Sequence, residues 1–357
     1  MENFDNDLNY YDLIIDINSF RNLYKNGWDV KASEKGLKNY ENYRDKSNDN
    51  NKLTVIGVIG NEKVGKSFLL QKITGNLIPA GASINTKGLS VCYPTQKEKN
   101  YIILDSAGFQ SPLLKNEFYK LKIKENEEKN EKEKEIEIQN EIEKNVMKTV
   151  VDKKLINYFL ESFIIENSDI LIFVLNQMTK SDQMFLKKVK KHAKNKTLIV
   201  VHNLKNFVNL EQCEYYVNNY LKNNLDFKLV EFDYKNIFFD DEETKEKFMI
   251  YIEKEMFSSK NKKNEFYKNV LHIIMRFDGL TNSENKESGK HYNNKVIKII
   301  RNYITSFTNI KPFDIIDKVI KHLYDKQKDI YTNSIPEKAI IYKDNKIMFD
   351  KEKKKKI

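Results

Sequence analysis

Cysteine is nearly absent from this chain. Cys92 and Cys213 are its two cysteines, too few and too far apart for a disulfide framework, and neither sits in a C-x-x-C metal pattern. A reducing compartment is expected. No apolar run approaches the roughly 18 residues of a membrane span. The opening residues Met1-Glu2-Asn3 offer neither a basic-apolar signal sequence nor a myristoylation glycine, so the expected location is cytoplasmic. Aromatic and basic residues do not interleave as they do on RNA-binding sheets. The net charge of +10 therefore does not point to nucleic acid. Lys and Asn are used heavily almost everywhere, which spreads the charge over a solvated surface. The one compact basic cluster, Lys351 to Lys356 broken by Glu352, has no lipidated Cys beside it. Weak attraction to an anionic membrane surface, a nuclear import signal and a solvated tail are its three readings.

What is present is concentrated near residue 60. The apolar run Leu53 to Ile59 is followed by Gly60-Asn61-Glu62-Lys63-Val64-Gly65-Lys66-Ser67 and then by a helical run from Phe68 to Thr74. This is the phosphate-loop pattern G-x-x-x-x-G-K-[ST] in its required strand-then-helix context. A glycine-hinged loop turns its backbone N–H groups onto phosphate oxygens, and the helix behind it directs the positive end of its dipole at the same anion. Residues 60 to 68 are thus the candidate nucleoside-triphosphate cradle. In it Lys66 reaches the terminal phosphates and the Ser67 hydroxyl helps to hold Mg²⁺.

The motifs downstream of this loop come in the order of a switch. Thr86-Lys87-Gly88 precedes a strand-like Ser90 to Pro94, and Tyr101 to Leu104 leads into Asp105-Ser106-Ala107-Gly108. An Asp at a strand end can hold Mg²⁺ through water, and Gly108 lets a backbone N–H approach the γ-phosphate without a Cβ in the way. Thr86 can join the same ion when triphosphate is bound and let go after hydrolysis. Further on, the strand Leu198 to Val201 runs into His202-Asn203-Leu204-Lys205-Asn206. Asn203 and Asn206 stand where a nucleotide base is read. Asn206 presents an amide there, a poorer partner for guanine than a carboxylate. Asp278 and Glu284, in the loop after the strand Val270 to Met275, are the alternative carboxylates.

Gly60 to Ser67, the Thr86-Lys87-Gly88 triplet and Asp105 to Gly108 together resemble the GTPase domain of the guanylate-binding-protein and atlastin branch of the dynamin superfamily. The resemblance spans roughly residues 51 to 310. It implies a Ras-like α/β P-loop fold, a mostly parallel sheet flanked by helices and extended by insertions, with Mg²⁺-dependent hydrolysis of GTP to GDP and homodimer formation on GTP binding. Three departures qualify it. Lys63 stands where the branch carries an internal arginine finger. Phe109 follows D-x-x-G where small Ras-like GTPases keep a water-orienting Gln, which leaves Gln110, a backbone group or a partner to orient the water. The branch's long helical stalk finds no room after the core. The expected catalytic set is Lys66, Thr86, Lys63 and Gln110, and the metal set is Ser67, Thr86 and Asp105. A P-loop ATPase or phosphotransferase, and a nucleotide-binding scaffold without turnover, are the competing readings.

The rest of the 357 residues, 40% of them hydrophobic, reads as one α/β core with additions. Residues 1 to 50 form an N-terminal extension in which Trp28 is the anchor. A low-complexity Glu/Lys/Asn insertion at about 120 to 144 has too few apolar residues to join a core. Helical spacing from Val146 to Ile165 puts Val150, Leu155, Tyr158, Phe159 and Phe163 toward the sheet. Leu210 to Leu221 reads as a helix and Phe227 to Phe232 as a half-buried strand. Residues 311 to 357 are expected to be a C-terminal helix and the basic tail.

Overall fold

A computed structural model describes residues 8, 10–44, 54–75, 88–93, 101–106, 131–193, 196–207, 209–224, 228–232, 248–254, 270–277, 289–306, 313–330 and 339–350, with backbone alone at 131–145, 254 and 328. In chain order the elements are β1 (Leu13–Ile15), α1 (Phe20–Lys25), β2 (Trp28–Ala32), α2 (Glu34–Arg44), β3 (Thr54–Ile59), α3 (Lys66–Thr74), β4 (Leu89–Cys92), β5 (Tyr101–Ser106), α4 (Glu131–Asn167), β6 (Ile170–Leu175), α5 (Lys180–His192), β7 (Thr197–Leu204) and α6 (Leu210–Tyr216). A π-helical turn (Val217–Leu221) continues α6, followed by β8 (Lys228–Glu231), β9 (Ile250–Lys254), β10 (Val270–Arg276), α7 (Gly289–Thr305), α8 (Ile315–Asp325), α9 (Gln327–Ile330), β11 (Ile340–Lys343) and β12 (Lys346–Phe349).

The strands form one twelve-stranded sheet in the order β11-β12-β2-β1-β4-β5-β3-β6-β7-β10-β9-β8. Its centre is parallel: β3 pairs with β5 and β6, β6 with β7, and β7 with β10. Every residue of β3, β5 and β6 is buried. That is how strands covered by helices on both faces read, as continuous apolar runs rather than alternation. The mixed α/β architecture expected from the sequence is therefore the one observed, and its loops at the carboxyl ends of the parallel strands are where such sheets bind ligands.

Both flanks of this centre are antiparallel. β1 pairs with β4 and β2, and β12 joins β2 to β11. The terminal segments of the chain thus supply four strands that the hydrophobic pattern did not announce. Trp28 on β2 is fully buried, its ring 5.5 Å from that of Phe20 and 5.7 Å from that of Phe159 on α4. Helix α4 packs through Ile156, Phe159, Leu160, Phe163 and Ile164. Of the five residues expected to face the sheet, Phe159 and Phe163 do so fully, while Val150, Leu155 and Tyr158 lie on the flank. The part of the charged insertion that is described, from Glu131 on, is the N-terminal part of α4. Its remainder and the basic tail lie outside the described residues. Among the described residues no helix is long and apolar enough to cross a membrane.

Candidate nucleotide site

The candidate cradle is built from three strand ends. β3 delivers Gly60 to Gly65, and α3 begins at Lys66 with Gly65 as its N-cap. Gly65 has φ 96 and its backbone is in close contact with Asn203: a Cβ there would lie 2.2 Å from Asn203 Nδ2. Both facts require glycine. Lys63 adopts φ 62, a left-handed conformation uncommon for a residue with a side chain. Its carbonyl accepts a 2.7 Å hydrogen bond from Lys205 Nζ. The Lys63 side chain is 56% exposed, with Nζ 4.0 Å from Glu62 Oε1. Glu62 Oε2 is buried with no hydrogen-bond partner among the described residues.

Lys66 is 7% exposed. Its ammonium donates to the carbonyls of Gly60 at 3.3 Å and Asn61 at 3.1 Å, so it is held inside the loop by the loop's own acceptors. Burial lowers its pKa, and the carboxylates of Asp105 and Glu62 pull the other way. Ser67 and Phe68 follow on the first turn of α3, both half-buried. The far end of α3 is fastened by Arg301 of α7, which donates to the carbonyls of Ile73 at 2.8 Å and Lys72. A cation at a helix C-terminus complements its dipole.

The other two strand ends close on this loop. At the end of β7, Asn203 is buried and donates from Nδ2 to the Val64 carbonyl at 2.9 Å. The structure therefore joins Asn203 to the cradle itself, while Asn206 lies exposed in the turn beyond. At the end of β5, Asp105 is 1% exposed. Its Oδ1 accepts from the Ser106 amide at 2.9 Å and its Oδ2 from the Tyr11 hydroxyl at 2.8 Å. Thr86, Gly108, Phe109, Gln110, Asp278 and Glu284 lie outside the described residues.

Three contacts were not read from the sequence. Lys205 stands one position before the expected base reader and holds the loop at Lys63. Asp182 accepts from Asn61 Nδ2 at 3.5 Å and caps α5 reciprocally with Thr179. The pattern Thr179-x-x-Asp182 ahead of an amphipathic run was a legible capping signal. Tyr11 had no signal at all, because its partner lies far along the chain.

Residues 55–204 match the family model described as 50S ribosome-binding GTPase. The chain is 24% identical over 335 residues to a heat shock protein of Dictyostelium discoideum, an alignment that takes in 88% of this chain and 42% of that one. The chain thus spans well under half the length of this curated relative. Among solved structures, Aquifex aeolicus Era bound to GDP and aluminium fluoride aligns with a TM-score of 0.29, 17% identity and 48% of each chain. The septin GTPase domain of Chlamydomonas reinhardtii aligns with a TM-score of 0.31 and 11% identity, covering 78% of this chain and 96% of the other. The matched segment runs from β3 to the end of β7 and so contains Gly60 to Ser67, Asp105 and Asn203. Residues 55–204 are thus similar to a P-loop GTPase domain.

Proposed function

We propose that the chain binds GTP at Gly60 to Ser67 and hydrolyses it slowly to GDP and phosphate with Mg²⁺, alternating between two orders of its switch segments. The observation that carries this reading is one loop that holds the buried Lys66 ammonium, is bonded by the Asn203 amide from the end of β7, and lies within the electrostatic reach of the Asp105 carboxylate at the end of β5. Lys66 is placed to exchange its bonds to Gly60 and Asn61 for bonds to phosphate oxygens, which are charged and so stronger acceptors. Asn203 and Lys205 keep the loop in shape while it does so.

The Ser67 hydroxyl and the Asp105 carboxylate are the hard oxygen donors that Mg²⁺ takes, and so small a protein set suits an ion that keeps its waters and phosphate oxygens. Such an ion supplies neutralisation of charge on the phosphates. Thr86 would complete its shell and orient the attacking water through its backbone carbonyl, with Gly108 donating to the γ-phosphate and Gln110 standing in where Phe109 cannot help. The Thr86-Lys87-Gly88 triplet supports the guanylate-binding-protein branch as the model for this first switch. Lys63 is the candidate internal finger. Its ammonium faces solvent, and the homodimer formed on GTP binding is proposed from the resemblance to that branch. A flexible ammonium lacks the planar two-point contact of a guanidinium, and slow turnover is the consequence.

The test is Lys66→Ala, followed by titration with a fluorescent GTP analogue, phosphate release and far-ultraviolet circular dichroism. Losing one charge-assisted hydrogen bond of about 1.5–3 kcal/mol lowers affinity roughly 10- to 100-fold. The dichroism spectrum is expected to stay unchanged. Equal affinity in the two proteins would remove this loop as the nucleotide site.

A further inference from the structure

The N-terminal strand touches both ends of the proposed nucleotide machinery. β1 lies beside β4 in the register Leu13↔Val91, Ile14↔Ser90 and Ile15↔Leu89, and β4 pairs with β5 as Ser90↔Asp105. The strand's approach is fixed by Asp12, whose amide donates to the Val91 carbonyl at 3.0 Å and whose Oδ2 accepts from the Tyr93 amide at 2.7 Å. At the other end of β1 the backbone meets Gly88, the last residue of the Thr86-Lys87-Gly88 triplet. Gly88 has φ 49, and a Cβ on it would lie 2.2 Å from the Ile15 carbonyl oxygen and 2.5 Å from the Ile17 nitrogen. The glycine of the triplet is therefore required by its contact with β1.

Tyr11, just before β1, is 4% exposed and donates to Asp105 Oδ2 at 2.8 Å. With Ser106 N on Oδ1 at 2.9 Å, each oxygen of the carboxylate has a donor and the group is fixed in rotation. A buried carboxylate needs such donors, since leaving one oxygen without a partner costs about 1–3 kcal/mol or more. The donor on Oδ1 is local and would exist in any strand of this shape. The donor on Oδ2 comes from a segment preceding the matched GTPase domain.

We propose that Tyr11 is a positioning residue of the nucleotide site: its hydroxyl orients the Asp105 carboxylate toward the hydrated Mg²⁺ of bound triphosphate, and makes the N-terminal strand part of that site. The inference rests on the proposed nucleotide function. A ligand to a metal, or to its water, is held by its outer hydrogen bonds, and removing one lowers metal affinity by roughly 10- to 100-fold.

The experiment uses the full chain and Tyr11→Phe, which keeps the ring and removes the donor. Affinity for a fluorescent GTP analogue is measured across a Mg²⁺ titration and again in EDTA, with thermal unfolding alongside. The expected result is a Mg²⁺ midpoint raised about tenfold, with unchanged affinity in EDTA. In the background of Asp105→Asn, the same Tyr11→Phe change is expected to leave the midpoint where Asp105→Asn alone puts it, because the two act as one unit. A Tyr11→Phe midpoint equal to that of the wild type, or an equal loss of affinity with and without Mg²⁺, would overturn the positioning role and leave the nucleotide reading standing. A wild-type chain that binds no nucleotide would remove both.

Discussion

At the residue scale, two asparagines three positions apart do different work. Asn203 is buried against Val64 and Gly65 and serves the loop, whereas Asn206 is exposed in the turn after β7. An amide at a base edge presents one acceptor and a pair of donors, so it satisfies guanine less well than a carboxylate, which accepts on both oxygens. Asn206→Asp is expected to raise the preference for GTP over ATP and xanthosine triphosphate by about 1.5–3 kcal/mol for each charge-assisted hydrogen bond gained. Competition binding with the three nucleotides measures it, and unchanged ratios would move base reading to another group. Lys66, Ser67, Asp105 and Asn203 can be proposed from the sequence because each is set by its spacing from neighbours a few positions away, so spacing is itself the signal. Lys205 and Tyr11 were not, since each acts on a group brought near only by strand order. Lys205 meets the carbonyl of Lys63, and Tyr11 meets the carboxylate of Asp105.

At the scale of elements, the parallel strands were readable because strands buried on both faces leave apolar runs. β11 and β12 escaped notice for the opposite reason. They are four residues each with alternating or partial burial, and their signal is the turn. Asp344 and Asn345 have φ 51 and 56, the two left-handed residues of a hairpin turn that asparagine and aspartate tolerate better than most. Trp28 was expected to anchor the N-terminal segment, and it does so by filling the space between α1 and α4 while Nε1 donates to the Ser19 carbonyl at 2.8 Å. Trp28→Ala is expected to cost about 3–5 kcal/mol of unfolding free energy, as other large buried aromatics do. Trp28→Phe keeps most of the packing and is expected to cost clearly less. Urea unfolding of the three proteins checks the order. A midpoint for Trp28→Ala within error of the wild type would mean that the N-terminal strands are held without it, and Tyr11 would then need another support.

At the scale of the whole molecule, a chain of buried polar groups crosses the sheet from α5 to the end of β6, and it makes stability depend on pH. The Met178 amide donates to the Tyr216 hydroxyl at 2.7 Å, leaving that hydroxyl's proton for His202 Nδ1 at 3.1 Å. His202 Nε2 then donates to His272 Nδ1 at 3.0 Å, and His272 Nε2 donates to Glu253 Oε2 at 3.2 Å. Glu253 Oε1 is paired with Lys190. Every member is satisfied with both histidines neutral, and an added proton has no acceptor along the row. Burial holds His202 well below the ordinary histidine range, helped by His272. Burial also lowers His272, against the pull of Glu253. His322, set between Phe159 and Phe163, is brought down by burial to about 4 despite Glu166. For each of the three, the unfolded chain binds a proton near its ordinary pKa of about 6.5 while the folded chain does not. The unfolded state thus holds more protons from about pH 6.5 down to the folded pKa, and stability rises with pH across that window. Acidification from pH 7 is expected to cost up to about 1.4 kcal/mol per pH unit for each histidine, beginning near pH 6.5. The Glu253 carboxylate is raised by burial but lowered on balance by His272 and Lys190. Its contribution is lost only at lower pH, as the medium passes its folded pKa. Urea unfolding at pH 7, 6 and 5 measures the slope, and His322→Phe isolates one share of it, because a phenyl ring keeps an aromatic group beside Phe159 and Phe163 and does not titrate. The slope below pH 6.5 is expected to become shallower by about 1.4 kcal/mol per pH unit in that variant. An identical slope in the two proteins would show that His322 takes up its proton in the folded state as readily as in the unfolded one.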